Sequence, residues 1–219
     1  MANLLDSVKE YLHPGFITEA SEQLGEGEEP ISKALFAWCA TILAGLLNWV
    51  GHDKAMGQIF DGLDHFPPNL TDNAKALLRS GNLAENDPKD VSGRLLGQLF
   101  GPKTENLIEG VATFSGTSPA HASYLLGVAG PVILSILGQR VQAGNLSHSG
   151  LSNLLLRNRE GILSALPGGL AAILQLRDMD ATQAEAVPEE ATGMSWVLPL
   201  LLLLGLGGAI LFYLRYSGH

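Results

Sequence analysis

The sequence predicts an all-α protein: two quasi-repeated helical units packed as one bundle, followed by one C-terminal transmembrane helix. Three observations carry that expectation. Aromatic residues make up only 6% of the 219 residues while glycine occurs 26 times, and Val, Ile and Thr do not fall into the alternating runs that strands require. Two long apolar stretches recur, each preceded by shorter amphipathic ones. A charge-free stretch lies near the C-terminus.

The first unit spans residues 1–67. It opens with the leucine-led LLDSVKEYL, continues with the amphipathic FITEASEQL, and passes a glycine-bearing loop to Pro30, which starts the long apolar helix ISKALFAWCATILAGLLNWV. A polar turn and a shorter helix, DKAMGQIFDGLDHFP, close it. Residues 68–93 form a linker holding a short helix: Thr71 and Asp72 precede NAKALLRS, and Gly81 stops it by accepting a left-handed conformation. The second unit, residues 94–176, repeats the order with RLLGQLF, NLIEGVATF, a glycine loop, Pro119, the long AHASYLLGVAGPVILSILGQRV and the closing helix SGLSNLLLRNREGILSALP. Self-similarity of this kind marks a duplicated structural unit. Ser118 before Pro119 is an N-cap with proline at the first helical position. Gly130-Pro131 should kink the second long helix, because proline removes a backbone donor and clashes with the preceding turn.

The long helices approach the length of a membrane span. Thr41, Asn48, Ser123, Ser135 and Gln139 interrupt them, and amphipathic companions are available to cover them. A buried central hairpin, one long helix from each unit, is therefore expected, with Leu35, Trp38, Leu43, Leu46, Leu125, Val132, Ile133 and Ile136 in the core.

Residues 177–194, from RDMDATQAEAVPEEATG, read as an acidic, solvated tether that an anionic bilayer surface would repel. Residues 195–214 follow as the span. WVLPLLLLLGLGGAILFYL is roughly twenty residues without a charge, enough for an α-helix to cross about 30 Å of hydrocarbon. Trp196 and Tyr213 sit at headgroup level, Arg215 caps the far side, and Pro199 falls in the first turn, where its missing N–H costs little. Gly205 and Ala209, with Gly208 beside them, make a small-xxx-small face through which the anchor is expected to self-associate. Met1 to Leu12 mixes charges into an amphipathic pattern and lacks the features of a secretory signal, so the body is expected in the cytoplasm, tethered to a bacterial inner membrane by a single pass.

Without Arg215, the residues before the span hold 12 basic against 22 acidic side chains, a net charge of −10. No basic cluster is present to neutralise phosphates, which argues against a nucleic-acid partner. The single cysteine, Cys39, lies within an apolar run and reads as a small buried hydrophobe.

His52, Asp53, Asp61, Asp64 and His65 form the most polar cluster. The aspartates fall near one helical face, yet the spacing matches no zinc or calcium pattern, and a solvated face is expected. His121 stands near Ser118, and His148 lies past the other end of the second long helix. No GxSxG elbow accompanies them, and Ser118 is explained as a cap. The glycine runs GEGEE and GVAGP bring neither a preceding strand nor a phosphate-binding lysine. No enzyme activity, cofactor or metal is expected.

The opening helix, GTSPAHASYLLGVAGPVILSILG and GLSNLLLRNREGILSALPGGL resemble a bacterial family known as domain of unknown function 937, over about residues 1–176. The resemblance implies an all-helical fold, with a homeodomain-like member, and no established activity. Some envelope-associated relatives place such a domain before one membrane helix and a peptidoglycan-binding domain of the outer-membrane-protein-A type. This chain has only RYSGH past the span, so either it is tail-anchored or a periplasmic domain has been cut away. The function expected is a membrane-anchored helical interaction or scaffold module on the cytoplasmic face, with an unidentified protein partner. The alternative is an integral component of an oligomeric membrane or envelope complex with the long helices inserted.

Overall fold

Amphipathic helices wrapped around two apolar ones are what the hydropathy pattern demands, and a computed structural model describes that arrangement for residues 4–11, 14–66, 78 and 88–176. The described residues belong to one unit of the chain, Met1–Leu176. They contain helices and no strand.

Helix α1 (Leu4–Tyr11) turns Leu4, Leu5 and Val8 into the core, and α2 (Pro14–Leu24) buries Phe16 and Ala20, four residues apart on one face. Gly25 then takes φ +63°, a left-handed turn that glycine adopts without steric cost. Helix α3 (Glu28–Trp49) opens two residues ahead of Pro30. Proline in the first turn lacks only a donor that would have no intrahelical partner, and Glu28 and Glu29 sit at the positive end of the helix dipole, so the start tolerates both. Gly51, at φ +90°, turns the chain into α4 (Asp53–Leu63).

Helix α5 (Pro88–Phe100) begins ahead of Arg94 and leads through a 3-10 turn, Gly101–Lys103, into α6 (Thr104–Ser115). Gly116, at φ +81°, ends α6, its N–H bonded to the Ala112 carbonyl at 2.8 Å. Helix α7 (Pro119–Ala143) starts as expected: Ser118 Oγ accepts the His121 N–H at 3.1 Å. It runs as one helix through Gly130 and Pro131, both buried. A Cβ on Gly130 would lie 2.6 Å from Leu96 Cδ1, so this glycine is where α5 crosses α7 closely.

The closing helix expected over SGLSNLLLRNREGILSALP is not single. It divides into α8 (His148–Arg157) and α9 (Arg159–Ala165), followed by α10 (Gly168–Leu174). The break falls at Asn158, whose side-chain amide donates to the Leu154 carbonyl at 2.8 Å while its Oδ1 accepts the N–H of Leu4 at 3.0 Å. An asparagine that bonds the backbone competes with helix propagation, and here it also caps α1 from across the fold.

Helices α3 and α7 pack against each other more extensively than any other described pair. All eight core residues named from the sequence are buried, Leu46 and Ile136 least completely at 2% exposure. Trp38 donates its indole N–H to the Ala122 carbonyl at 2.9 Å, and Thr41 satisfies its hydroxyl on the Ala37 carbonyl at 2.7 Å. Both polar groups therefore enter the core with a partner, as burial requires. Around this pair lie α1, α2, α4, α5, α6, α8, α9 and α10.

Candidate interaction surface

The expected anchor residues Trp196, Pro199, Gly205, Gly208, Ala209, Tyr213 and Arg215 lie outside the described residues. So does most of the linker helix expected after Thr71, of which Leu78 alone is described, helical and buried.

The aspartate–histidine cluster is solvated. His52, Asp53, Asp61, Asp64 and His65 are all exposed, and no three acidic, His or Cys side chains among the described residues are grouped to hold a metal. What the spacing did not indicate is a neighbour distant in sequence. His148, at the start of α8, stands edge-on to Phe60 with ring centroids 4.6 Å apart, and its Nε2 lies 4.0 Å from Asp61 Oδ1. Asp53, Met56, Ser147, His148, Ser149 and Ser152 line a cleft where α4 and α8 begin. Cys39 is buried at 1% exposure, as a small hydrophobe would be.

Ser118 and His121 do not form a nucleophile–base pair. The hydroxyl accepts the backbone N–H of His121, and the imidazole Nδ1 lies 2.7 Å from Glu26 Oε1 on the loop before α3. Beside it Gln23 donates to the Leu78 carbonyl at 2.6 Å and to the Tyr124 hydroxyl at 2.9 Å, and Tyr124 donates to the same carbonyl. Burial pushes the Tyr124 hydroxyl above the usual phenol range, against the opposing effect of the Gln23 hydrogen bond. These bonds clip the start of α7 to the α2–α3 corner, a structural duty that accounts for each polar group.

An open apolar cleft lies between α6 and α10. Gly110 lets the two helices touch: a Cβ there would fall 2.7 Å from Leu170 Cδ2 and 3.1 Å from Ile173 Cδ1. One turn further along α6 the facing wall bears no side chain at Gly168 and Gly169. The result is a cleft of about 590 Å³ lined by Asn106, Glu109, Thr113 and Phe114 on one side and Pro167–Leu170 and Ile173 on the other. Phe114 is 50% exposed, the one large hydrophobic side chain so placed among the described residues. Periodicity gave no sign of this. Phe114 follows buried Leu107 by seven residues, about two helical turns, which would put it on the buried face. Only the Gly168-Gly169 pair, which leaves two positions of the facing wall without side chains, carries the signal.

Residues 6–140 match the model of a family described as "bacterial protein of unknown function (DUF937)". The chain belongs to that family. The DUF937 match runs from α1 to within one turn of the end of α7, so the α6 wall of the cleft lies inside it and the α10 wall beyond it. It is shorter than the stretch over which the sequence resembles the family, and GLSNLLLRNREGILSALPGGL falls outside. No curated protein and no solved structure matches the chain.

Proposed function

We propose that this protein is a membrane-tethered helical module that binds or organises other proteins at the cytoplasmic face of a bacterial inner membrane, without chemistry of its own. The observation that carries the proposal is where the two long apolar helices lie. Helices α3 and α7, 22 and 25 residues long, each contain an 18-residue window of mean hydropathy 1.6, sufficient for a bilayer by length and composition, yet 78% and 72% of those windows are buried within the fold. Their apolarity is used against protein. The uncharged run in residues 195–214 then remains as the segment suited to lipid, with Trp196 and Tyr213 at its interfaces and the body held off by the acidic residues 177–194.

In the same proposal the bundle is two quasi-repeated units. Its support is the recurrence of local geometry: left-handed Gly25 and Gly116 each precede a long helix, and left-handed Gly51 and Asn145 each follow one. Partners recur too, α1 and α5 each touching both long helices, and α4 packing on α8. Whether the chain is tail-anchored or is followed by an outer-membrane-protein-A type domain, the body keeps the same side.

The lengths and hydropathy of α3 and α7 also favour a second arrangement, an integral component with both helices inserted. Protease treatment separates the two. The tethered body should be digested in inverted inner-membrane vesicles and protected in spheroplasts, with the core opening only after the tether is cut. Protection of α3 and α7 from both sides would overturn the tethered arrangement.

A further inference from the structure

We propose that the α6–α10 cleft docks a basic amphipathic helix of a partner protein, with one large apolar side chain seated against Phe114 over Gly168-Gly169 and a lysine or arginine facing Glu109. This inference rests on the interaction-module proposal and names the chemistry of its partner. Three observations select that occupant. The cleft, about 590 Å³, lies within the roughly 300–1,000 Å³ of ordinary binding clefts. Its wall presents a half-exposed phenylalanine, and a Cβ added at Gly168 or Gly169 would meet nothing within 4 Å. Room for a large apolar group therefore sits beside an aromatic face, as in helix-in-groove recognition.

Charge decides between occupants. Glu109 lines the cleft and Glu105, also exposed, precedes it by one turn; no lysine or arginine is among the lining residues. Lys103, close in sequence, is turned to the Leu174 carbonyl at 2.8 Å. The residues before the anchor carry a net charge of −10, so a second copy or an anionic lipid surface would meet like charge. A basic segment would be drawn in.

The test uses the full chain in phosphatidylcholine nanodiscs, with empty nanodiscs as control, and two labelled probes: an amphipathic leucine–lysine helix and a leucine–glutamate helix of the same pattern. Fluorescence polarisation should show binding of the lysine probe alone. Gly169→Trp, which fills open space, and Phe114→Ser should each weaken it about tenfold or more, the loss expected of an interface anchor. Glu109→Lys should transfer preference to the glutamate probe, with helix content by circular dichroism unchanged in all three. Binding of the lysine probe that is unaffected by Gly169→Trp would overturn the proposal as mere adherence to an acidic body, and so would the absence of binding. A dimer dispersed by Gly169→Trp would give the cleft to a second copy and equally overturn it. A partner co-purifying from native membranes with the Gly169→Trp protein would remove the cleft's role while leaving the tethered module standing.

Discussion

Trp38 in α3 donates its indole N–H to the carbonyl of Ala122 in α7 at 2.9 Å, and its ring is fully buried. The largest core side chain thus also sets the register between the two central helices. Trp38→Ala should lower stability by about 3–5 kcal/mol through the cavity it leaves. Trp38→Phe, which keeps most of the apolar bulk, should cost less, with about 1 kcal/mol of it from the lost hydrogen bond. Denaturant unfolding measures both; equal costs would deny the cavity any role.

Gly25 and Gly116 hold φ +63° and +81° at the corners leading to α3 and α7. An L-residue pays roughly 1–2 kcal/mol in that conformation. Gly25→Ala and Gly116→Ala should therefore destabilise to similar extents, since neither Cβ would meet an atom within 4 Å and only the backbone term changes. Widely different losses in unfolding experiments would mean the two corners are not equivalent, against the two-unit proposal.

Within α7, two glycines should respond with opposite signs. Gly127 has open space where a Cβ would go, so Gly127→Ala should raise stability by about 0.5–1 kcal/mol through helix propensity. A Cβ on Gly138 would lie 3.1 Å from the Leu63 carbonyl oxygen, a backbone atom at the end of α4. Gly138→Val, adding two methyl groups beyond that Cβ, should force α4 away and lower the melting temperature. Stabilisation by Gly138→Val would place α4 further off than described here.

Asn158 accepts the Leu4 N–H across the fold. Asn158→Ala should release the start of α1, costing about 1 kcal/mol. Hydrogen exchange should quicken at residues 4–8 and stay unchanged in α6. Uniform quickening would instead mark a global loss.

The class of fold was legible because helical periodicity and capping act locally. Ser118 before Pro119 fixed the start of α7, and the apolar density of Leu35 to Leu46 and Leu125 to Ile136 identified the central pair, all of them buried. What escaped depends on partners distant in sequence. The break at Asn158 is secured by a bond to Leu4, and the neighbour of Asp61 is His148. Pro30 looked like a helix start, but the preceding glutamates extend α3 because a first-turn proline requires no donor. The cleft was least legible: Phe114 has the spacing of a core residue, and its exposure follows from missing side chains at Gly168 and Gly169 on a helix that meets α6 only in the folded chain.

The central claim is that α3 and α7 are the core of a water-soluble body and that only the last apolar segment needs lipid. The most direct measurement is the partition of a chain ending at Val187 between cytosolic and membrane fractions, with the full-length protein beside it. The shortened chain should be recovered from the cytosol without detergent, helical and cooperatively folded, while the full-length chain stays with the membrane. A shortened chain that remains in the membrane pellet until detergent is added would contradict the account and give α3 and α7 to the bilayer.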